Sequence, residues 1–221
     1  MLGLATLPDD GLQPEEASRF ECFTREHLDA GTPSGAISPP GDTLLYVRWL
    51  AQQRAVLFHG SHRADLAVLR VDRESTDSSA FGNQAAVFAS DDPVWAMWFA
   101  LLHRGAGFRS TRNGASRLRG TRRRLYWFSV NAGFADEDLL ADGWLYVLPR
   151  HGFRQEPALL WYSGQWVSSR PVEPLARIAV APSDFPFADR IARHEDGDSE
   201  LRTMWRVATA HRRFNSRRRL R

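Results

Sequence analysis

Residues 85–103 read AAVFASDDPVWAMWFALLH, and the order of residue types in this stretch decides the architecture. Ala85 to Ser90 is a short apolar run of the length a buried strand takes. Asp91-Asp92-Pro93 stops it. An aspartate offers a side-chain oxygen to the unbonded N–H groups at a helix start, and a first-turn proline lacks an N–H that would go unbonded there. A helix is therefore expected through His103. Strand, cap and helix follow one another without a gap, as in a mixed α+β domain.

Similar signals flank this stretch. Ala55 to Phe58 is a second apolar run, stopped by His59-Gly60-Ser61, as expected of a buried strand that ends at a site. Before it, Leu44, Val47 and Leu50 share one face of a helix predicted over Thr43 to Gln53, and Phe20, Phe23 and Leu28 predict another within Pro14 to Ala30. The Gly-, Pro- and Ser-rich stretch from Gly31 to Gly41 reads as a linker, and Ser75 to Gln84 as a polar connector. Downstream, Leu125–Val130, Gly143–Leu148, Leu159–Tyr162, Gln165–Ser168 and Ala176–Val180 are rich in aromatic and β-branched residues and read as strands. The Arg-rich segment 108–124 lacks apolar periodicity, contains Gly114 and Gly120, and reads as a long loop. A terminal helix is expected around Glu200 to Ala210, with a basic tail beyond it. The chain thus divides into an N-terminal helical extension and linker (1–44), one domain (45–187), and a C-terminal helix and tail (188–221).

The 221 residues are 43% hydrophobic, enough for one good core. The apolar runs are too short to span a bilayer, the N-terminus lacks the basic and apolar regions of a signal peptide, and Cys22 is the one cysteine. These features predict a cytoplasmic protein without an internal disulfide. All 29 basic residues are arginine, and thirteen of them occupy two acid-free blocks, Arg109 to Arg124 and Arg212 to Arg221. The sixteen arginines that remain face 26 acids, so the rest of the chain is formally −10 despite a net charge of +3. Such blocks suit phosphate, because the guanidinium fork is planar, permanently charged and able to bind oxygens in pairs. They equally suit a solvated loop and tail.

Several chemistries are disfavoured. One cysteine and no HExxH pair leave no zinc spacing, so no metal is expected. Walker and GxGxxG loops are missing, and Ser61, His59 and the aspartates are not arranged around a nucleophile elbow.

The order of the remaining pieces carries a signal. Leu57-Phe58-His59-Gly60-Ser61, then Val87-Phe88-Ala89-Ser90 running into the helix at Pro93, then Gln165-Trp166-Val167 before Pro171-Val172-Glu173-Pro174, resembles the ADP-ribosyltransferase superfamily over residues 55–185. It is most similar to the branch that carries His, Tyr and Glu on three strands. The resemblance implies split antiparallel β-sheets with flanking helices, and NAD held in the cleft as substrate. His59 would then bond the adenosine ribose, the Gly60 backbone would pair with the nicotinamide amide, Phe88 would stack on nicotinamide, and Ser61 and Ser90 would line the pocket. Against this stand the plainer readings of a strand-ending His-Gly and a core phenylalanine at Phe88. Trp95, Trp98 and Phe99 read as packing.

Gln165 departs from the family, which has glutamate there. A carboxylate opposes the cationic oxocarbenium-like state and grips the ribose hydroxyl, whereas an amide keeps the grip and loses the charge. Glu156 and Glu173 are the nearest acids in sequence. The resemblance therefore implies an NAD-dependent ADP-ribosyltransferase with slowed or altered chemistry. Arg119, Arg122, Arg123 and Arg124 would contact an RNA, DNA or protein acceptor. A bacterial toxin or phage-defence role, with a neutralising antitoxin, would follow. A non-catalytic NAD-binding module and an RNA 2′-phosphotransferase are the alternatives.

Overall fold

The computed structural model describes residues 6–7, 11–29, 35–71, 84–118, 123–135, 139–157, 161–199 and 202–207. Three helices are placed in chain order: α1 (Pro14–His27), α2 (Thr43–Gln53) and α3 (Pro93–Leu101). The strands are β1 (Ala36–Ile37), β2 (Val56–Ser61), β3 (Val87–Ser90), β4 (Thr111–Leu118), β5 (Arg124–Asn131), β6 (Gly143–Pro149), β7 (Arg154–Gln155), β8 (Trp161–Tyr162), β9 (Gln165–Ser168), β10 (Ala176–Val180) and β11 (Ala192–His194). Residues 202–207 are also helical. The architecture is α+β, with a seven-stranded sheet ordered β1-β10-β6-β2-β3-β9-β7 and a four-stranded sheet ordered β11-β5-β4-β8.

Helix α3 runs between the two sheets, which explains its composition. A helix apolar on every side needs cover on every side. Seven of its nine residues are buried, Trp98 completely. Trp98 packs on Phe128 of β5 with ring centroids 5.0 Å apart, and the Trp95 indole donates to Asn113 Oδ1 of β4 at 2.6 Å. Full burial of a large side chain such as Trp98 contributes about 1.5–3 kcal/mol or more. On its other side α3 lies directly on the large sheet, where glycines admit it. A Cβ on Gly60 would stand 2.0 Å from the Ala96 carbonyl oxygen, and one on Gly143 1.9 Å from that of Ala100. Asp92 caps the helix as the sequence predicts, its Oδ1 accepting the Trp95 N–H at 2.8 Å.

The large sheet has two faces with different cover. Val56 and Phe58 face the main core with α2 and α3, whereas Leu57 joins Tyr146, Leu148, Val87, Ala89 and Trp166 in a smaller cluster behind. This alternation along β2 is the period-two pattern of a strand covered on both sides.

Two expectations are corrected. Segment 108–124 is not a loop over its described length, because residues 111–118 form β4 and pair with β5 from Thr111–Val130 to Arg117–Arg124. Its apolar signal is faint because Gly114 opposes Trp127, whose indole fills the place where a Cβ would stand, leaving Ala115 as the strand's buried hydrophobic residue. The sheets are mixed, not purely antiparallel, since β1 runs parallel to β10 and β11 parallel to β5. Those edge strands arrive from distant segments, so no hairpin obliges the chain to reverse between them. Helix α1 and β1 lie against the rest of the fold: Phe20 of α1 packs edge-on against Tyr46 of α2 at 5.3 Å, and β1 pairs with β10 at the edge of the large sheet.

Among the described residues no helix is long and apolar enough to cross a membrane. The connector 75–83, Arg119, Arg122 and the basic tail lie outside the described residues.

Candidate functional site

The large sheet forks between β2 and β3. These neighbours share the single pair Phe58–Ser90, although β2 continues to Ser61 beside β6, and β3 pairs with β9 over its whole length. The fork separates backbone groups that a continued ladder would join, and a side chain bridges them. His59 Nδ1 lies 2.8 Å from the Phe88 carbonyl oxygen. A carbonyl only accepts, so Nδ1 must carry the proton. Burial depresses the basicity of His59, partly offset by that bond, and the ring is therefore neutral with Nε2 as an acceptor.

Phe88 stands on the opposite lip. Its neighbours Val87 and Ala89 belong to the smaller cluster, so alternation turns Phe88 toward the other face. It is half-buried and has no aromatic partner among the described residues, and among those residues it is not part of either apolar cluster. On the next strand Gln165 pairs with Ser90 and projects from the same face as Phe88. Gln165 is half-buried, its backbone N–H bonds Ser163 Oγ at 3.2 Å, and its side-chain amide takes no hydrogen bond among the described residues. His59, Phe88 and Gln165 thus gather around one fork, with His59 on the side of the smaller cluster and the other two across it.

The remaining predicted residues have local roles. Ser90 is buried, and its Oγ accepts the Asp92 N–H at 2.9 Å, tightening the turn into α3. Ser61 Oγ accepts the Arg63 N–H at 3.1 Å. Gly60 is required by the close approach of α3, which gives this glycine a reason independent of any ligand.

Arg124 differs most from its expected place. It was expected at an acceptor surface, but its side chain is 15% exposed and lies 3.0 Å from Asp92 Oδ2 through Nε and 2.5 Å from Asp91 Oδ1 through Nη2. Burial alone would lower its basicity, and the Asp92 and Asp91 carboxylates hold it above the usual value instead. Tyr126 donates to Asp92 Oδ2 at 2.7 Å, Tyr162 donates to Asp91 Oδ2, and the Trp166 indole approaches the same oxygen at 3.3 Å. Burial and Asp91 push the Tyr162 phenol up to about 12. Gly164, at φ 79°, is packed against Arg124 and Asp91, and its carbonyl accepts the Asp91 N–H at 3.1 Å. This network ties the end of β3 to β5, β8 and β9. Its one advance signal in the sequence is the acid pair before Pro93.

The other described arginines of the basic block are mostly engaged. Arg109 pairs with Asp196 at 3.2 Å, Arg112 donates to Thr203 Oγ1 at 2.9 Å, and Arg117 lies 4.6 Å over the Tyr162 ring. Arg123 is exposed. Glu173 is exposed too, just past the Leu69–Val172 bridge. Among the described residues no group of three or more His, Cys, Asp or Glu side chains is placed to hold a metal.

A pH dependence follows from two histidines. His194 is buried between Ser129 Oγ at 2.8 Å and Ser110 Oγ at 2.9 Å, and burial together with Arg112 lowers its pKa, as burial lowers that of His59. The unfolded chain takes up protons near pH 6.5 that the native state refuses, so stability is complete above that pH and falls below it. Each histidine contributes a slope of at most about 1.4 kcal/mol per pH unit within this window. Urea midpoints measured from pH 8 to 5 should fall below about 6.5, and His194→Gln should flatten the decline. A midpoint that rises on acidification through this range contradicts the neutral assignments.

No family model matches the sequence, and neither a curated protein nor a solved structure matches it.

Proposed function

We propose that the chain binds NAD through the β2–β3 fork, on an ADP-ribosyltransferase-like split sheet, and transfers ADP-ribose to a macromolecular acceptor. The observation that carries this reading is Phe88, a phenyl ring left outside both cores at the lip of a fork bridged by His59. A half-buried aromatic outside both apolar clusters, with the Gln165 amide on its own face, suits a flat heteroaromatic ligand. By strand alternation His59 and Phe88 project to opposite faces of the sheet at the fork, so this reading calls for an extended ligand such as a dinucleotide. His59 Nε2 accepts a ribose hydroxyl, Phe88 covers nicotinamide, and the Gln165 amide holds the second ribose.

A neutral Gln165 favours a second reading, in which the same fork binds NAD without cleaving it. Nicotinamide release and NAD affinity, measured on the wild type, His59→Ala and Gln165→Glu, separate the two. A transferase loses about tenfold or more in affinity or turnover in His59→Ala, since a hydrogen bond in a desolvated site is worth about 1–3 kcal/mol. A binding module also loses affinity in His59→Ala but releases no nicotinamide in any of the three proteins, Gln165→Glu included. Absence of NAD binding in every protein sinks both readings.

The acceptor is proposed to be RNA or DNA. Support comes from exposed Arg123 and from the composition around Arg119, Arg122 and the tail, whereas Arg124 is withdrawn from this role by its pairing with Asp91 and Asp92. Removing Arg119, Arg122 and Arg123 together should weaken RNA binding and flatten its salt dependence, as phosphate contacts require. Unchanged binding would shift the proposal to a protein acceptor.

A further inference from the structure

The neutral side chain of Gln165 has a carboxylate for a neighbour. Strand β7 runs antiparallel to β9, with Arg154 opposite Val167 and Gln155 opposite Trp166. The next rung is the Glu156 N–H donating to the Gln165 carbonyl at 2.9 Å. Glu156 and Gln165 are therefore cross-strand neighbours on one face, where Cβ atoms stand about 4.5–5.5 Å apart. It is the face that carries Phe88. The Ser163 hydroxyl donates to Glu156 Oε2 and accepts the Gln165 N–H, so one carboxylate oxygen is fixed by the turn that enters β9. The other oxygen, Oε1, takes no hydrogen bond among the described residues. Glu173, the other acid near in sequence, has no such tie to β9.

We infer that Glu156 supplies from the adjoining edge strand the carboxylate that Gln165 lacks, making it a catalytic residue of NAD cleavage. The inference rests on the reading of the fork as an NAD site. The glycosidic bond from ribose C1′ to the pyridinium nitrogen breaks, and its electron pair goes to that nitrogen, releasing neutral nicotinamide. The cationic ribose carbon faces the Glu156 carboxylate while the Gln165 amide holds the ribose hydroxyl. A lone pair of the acceptor forms the new bond to C1′, and the acceptor's proton passes to Glu156 and then to water. No oxidant or reductant is involved.

The test compares kcat for nicotinamide release, NAD affinity and the pH profile across Glu156→Gln, Glu156→Asp, Gln165→Glu and the double variant Glu156→Gln/Gln165→Glu. Removing a carboxylate that takes a proton in the reaction should lower kcat about 10²-fold or more. NAD affinity should stay at the wild-type level and the acid limb of the pH profile should disappear. Glu156→Asp should recover part of the rate, and the double variant should regain turnover, because a carboxylate has returned to the neighbouring rung. Wild-type cleavage that persists undiminished in Glu156→Gln overturns the role of Glu156 and leaves the NAD site standing. A wild type that binds NAD while neither it nor any variant cleaves it overturns that role as well. A wild type that neither binds nor cleaves NAD overturns the NAD site, and this inference falls with it.

Discussion

Gly60→Ala is expected to lower the unfolding free energy by about 3 kcal/mol, the upper part of the usual range for overpacking a close-packed contact. The added methyl would meet the Ala96 carbonyl oxygen at 2.0 Å and the Ala100 nitrogen at 2.5 Å. Both are helix backbone, so no rotamer change relieves the overlap. The whole of α3 has to move, yet it is held from the other side by the Trp98–Phe128 contact. Gly35→Ala is the control, because no described residue lies within 4 Å of its new Cβ. Urea unfolding of the two variants decides the matter. A Gly60→Ala protein as stable as the wild type would mean that α3 does not rest on β2. If stability held while NAD affinity fell, Gly60 would be a ligand-facing glycine, as the family resemblance first suggests.

The second large effect is expected at Arg124. Removing one partner of a buried ion pair leaves an uncompensated charge and costs about 3–5 kcal/mol. Arg124→Ala would abandon Asp92, whose side chain is 4% exposed and whose Oδ1 caps α3. Asp91 would keep the Tyr162 and Trp166 donors and Asp92 the Tyr126 hydroxyl and the Trp95 N–H, but Asp92 is 4% exposed against 19% for Asp91, so its unneutralised charge carries most of the loss. Combining Arg124→Ala with Asp92→Asn should recover part of the stability, since asparagine caps helices well and brings no charge. A loss below about 1 kcal/mol, the ordinary value of an exposed pair, would return Arg124 to the solvent-facing surface.

What could be read in advance was what neighbouring residues decide among themselves. Helix α2 spans the predicted Thr43–Gln53, because its apolar spacing and the Asp42 side chain, which accepts the Leu45 N–H at 2.8 Å, are local features. The junction of β3 and α3 was legible for the same reason, and so were the aromatic strands β5, β6 and β9. Strand β4 was hidden because its buried surface is made by Trp127 lying over Gly114, a residue of one strand doing the packing of another. The two-residue strands β1 and β7 are too short to show any period.

The site divides along the same line. His59, Phe88 and Gln165 sit on strands that the sequence announces, so their candidacy could be stated early. The neighbourhood of Glu156 and Gln165 depends on strand pairing, which no single stretch encodes. Arg124 was misplaced because a run of arginines looks alike whether its members meet solvent or buried aspartates.

Strand β1 has a meaning beyond its length. Ala36 and Ile37 pair in parallel with Arg177 and Ile178, and so cover the outer edge of β10. Without them, β10 would present unpaired N–H and C=O groups flanked by Ala176, Ile178 and Val180, a template for strands of other molecules. The segment before α2 therefore guards against self-association. A chain begun after residue 40 should enrich aggregated material on expression and refolding, even where its fork is intact.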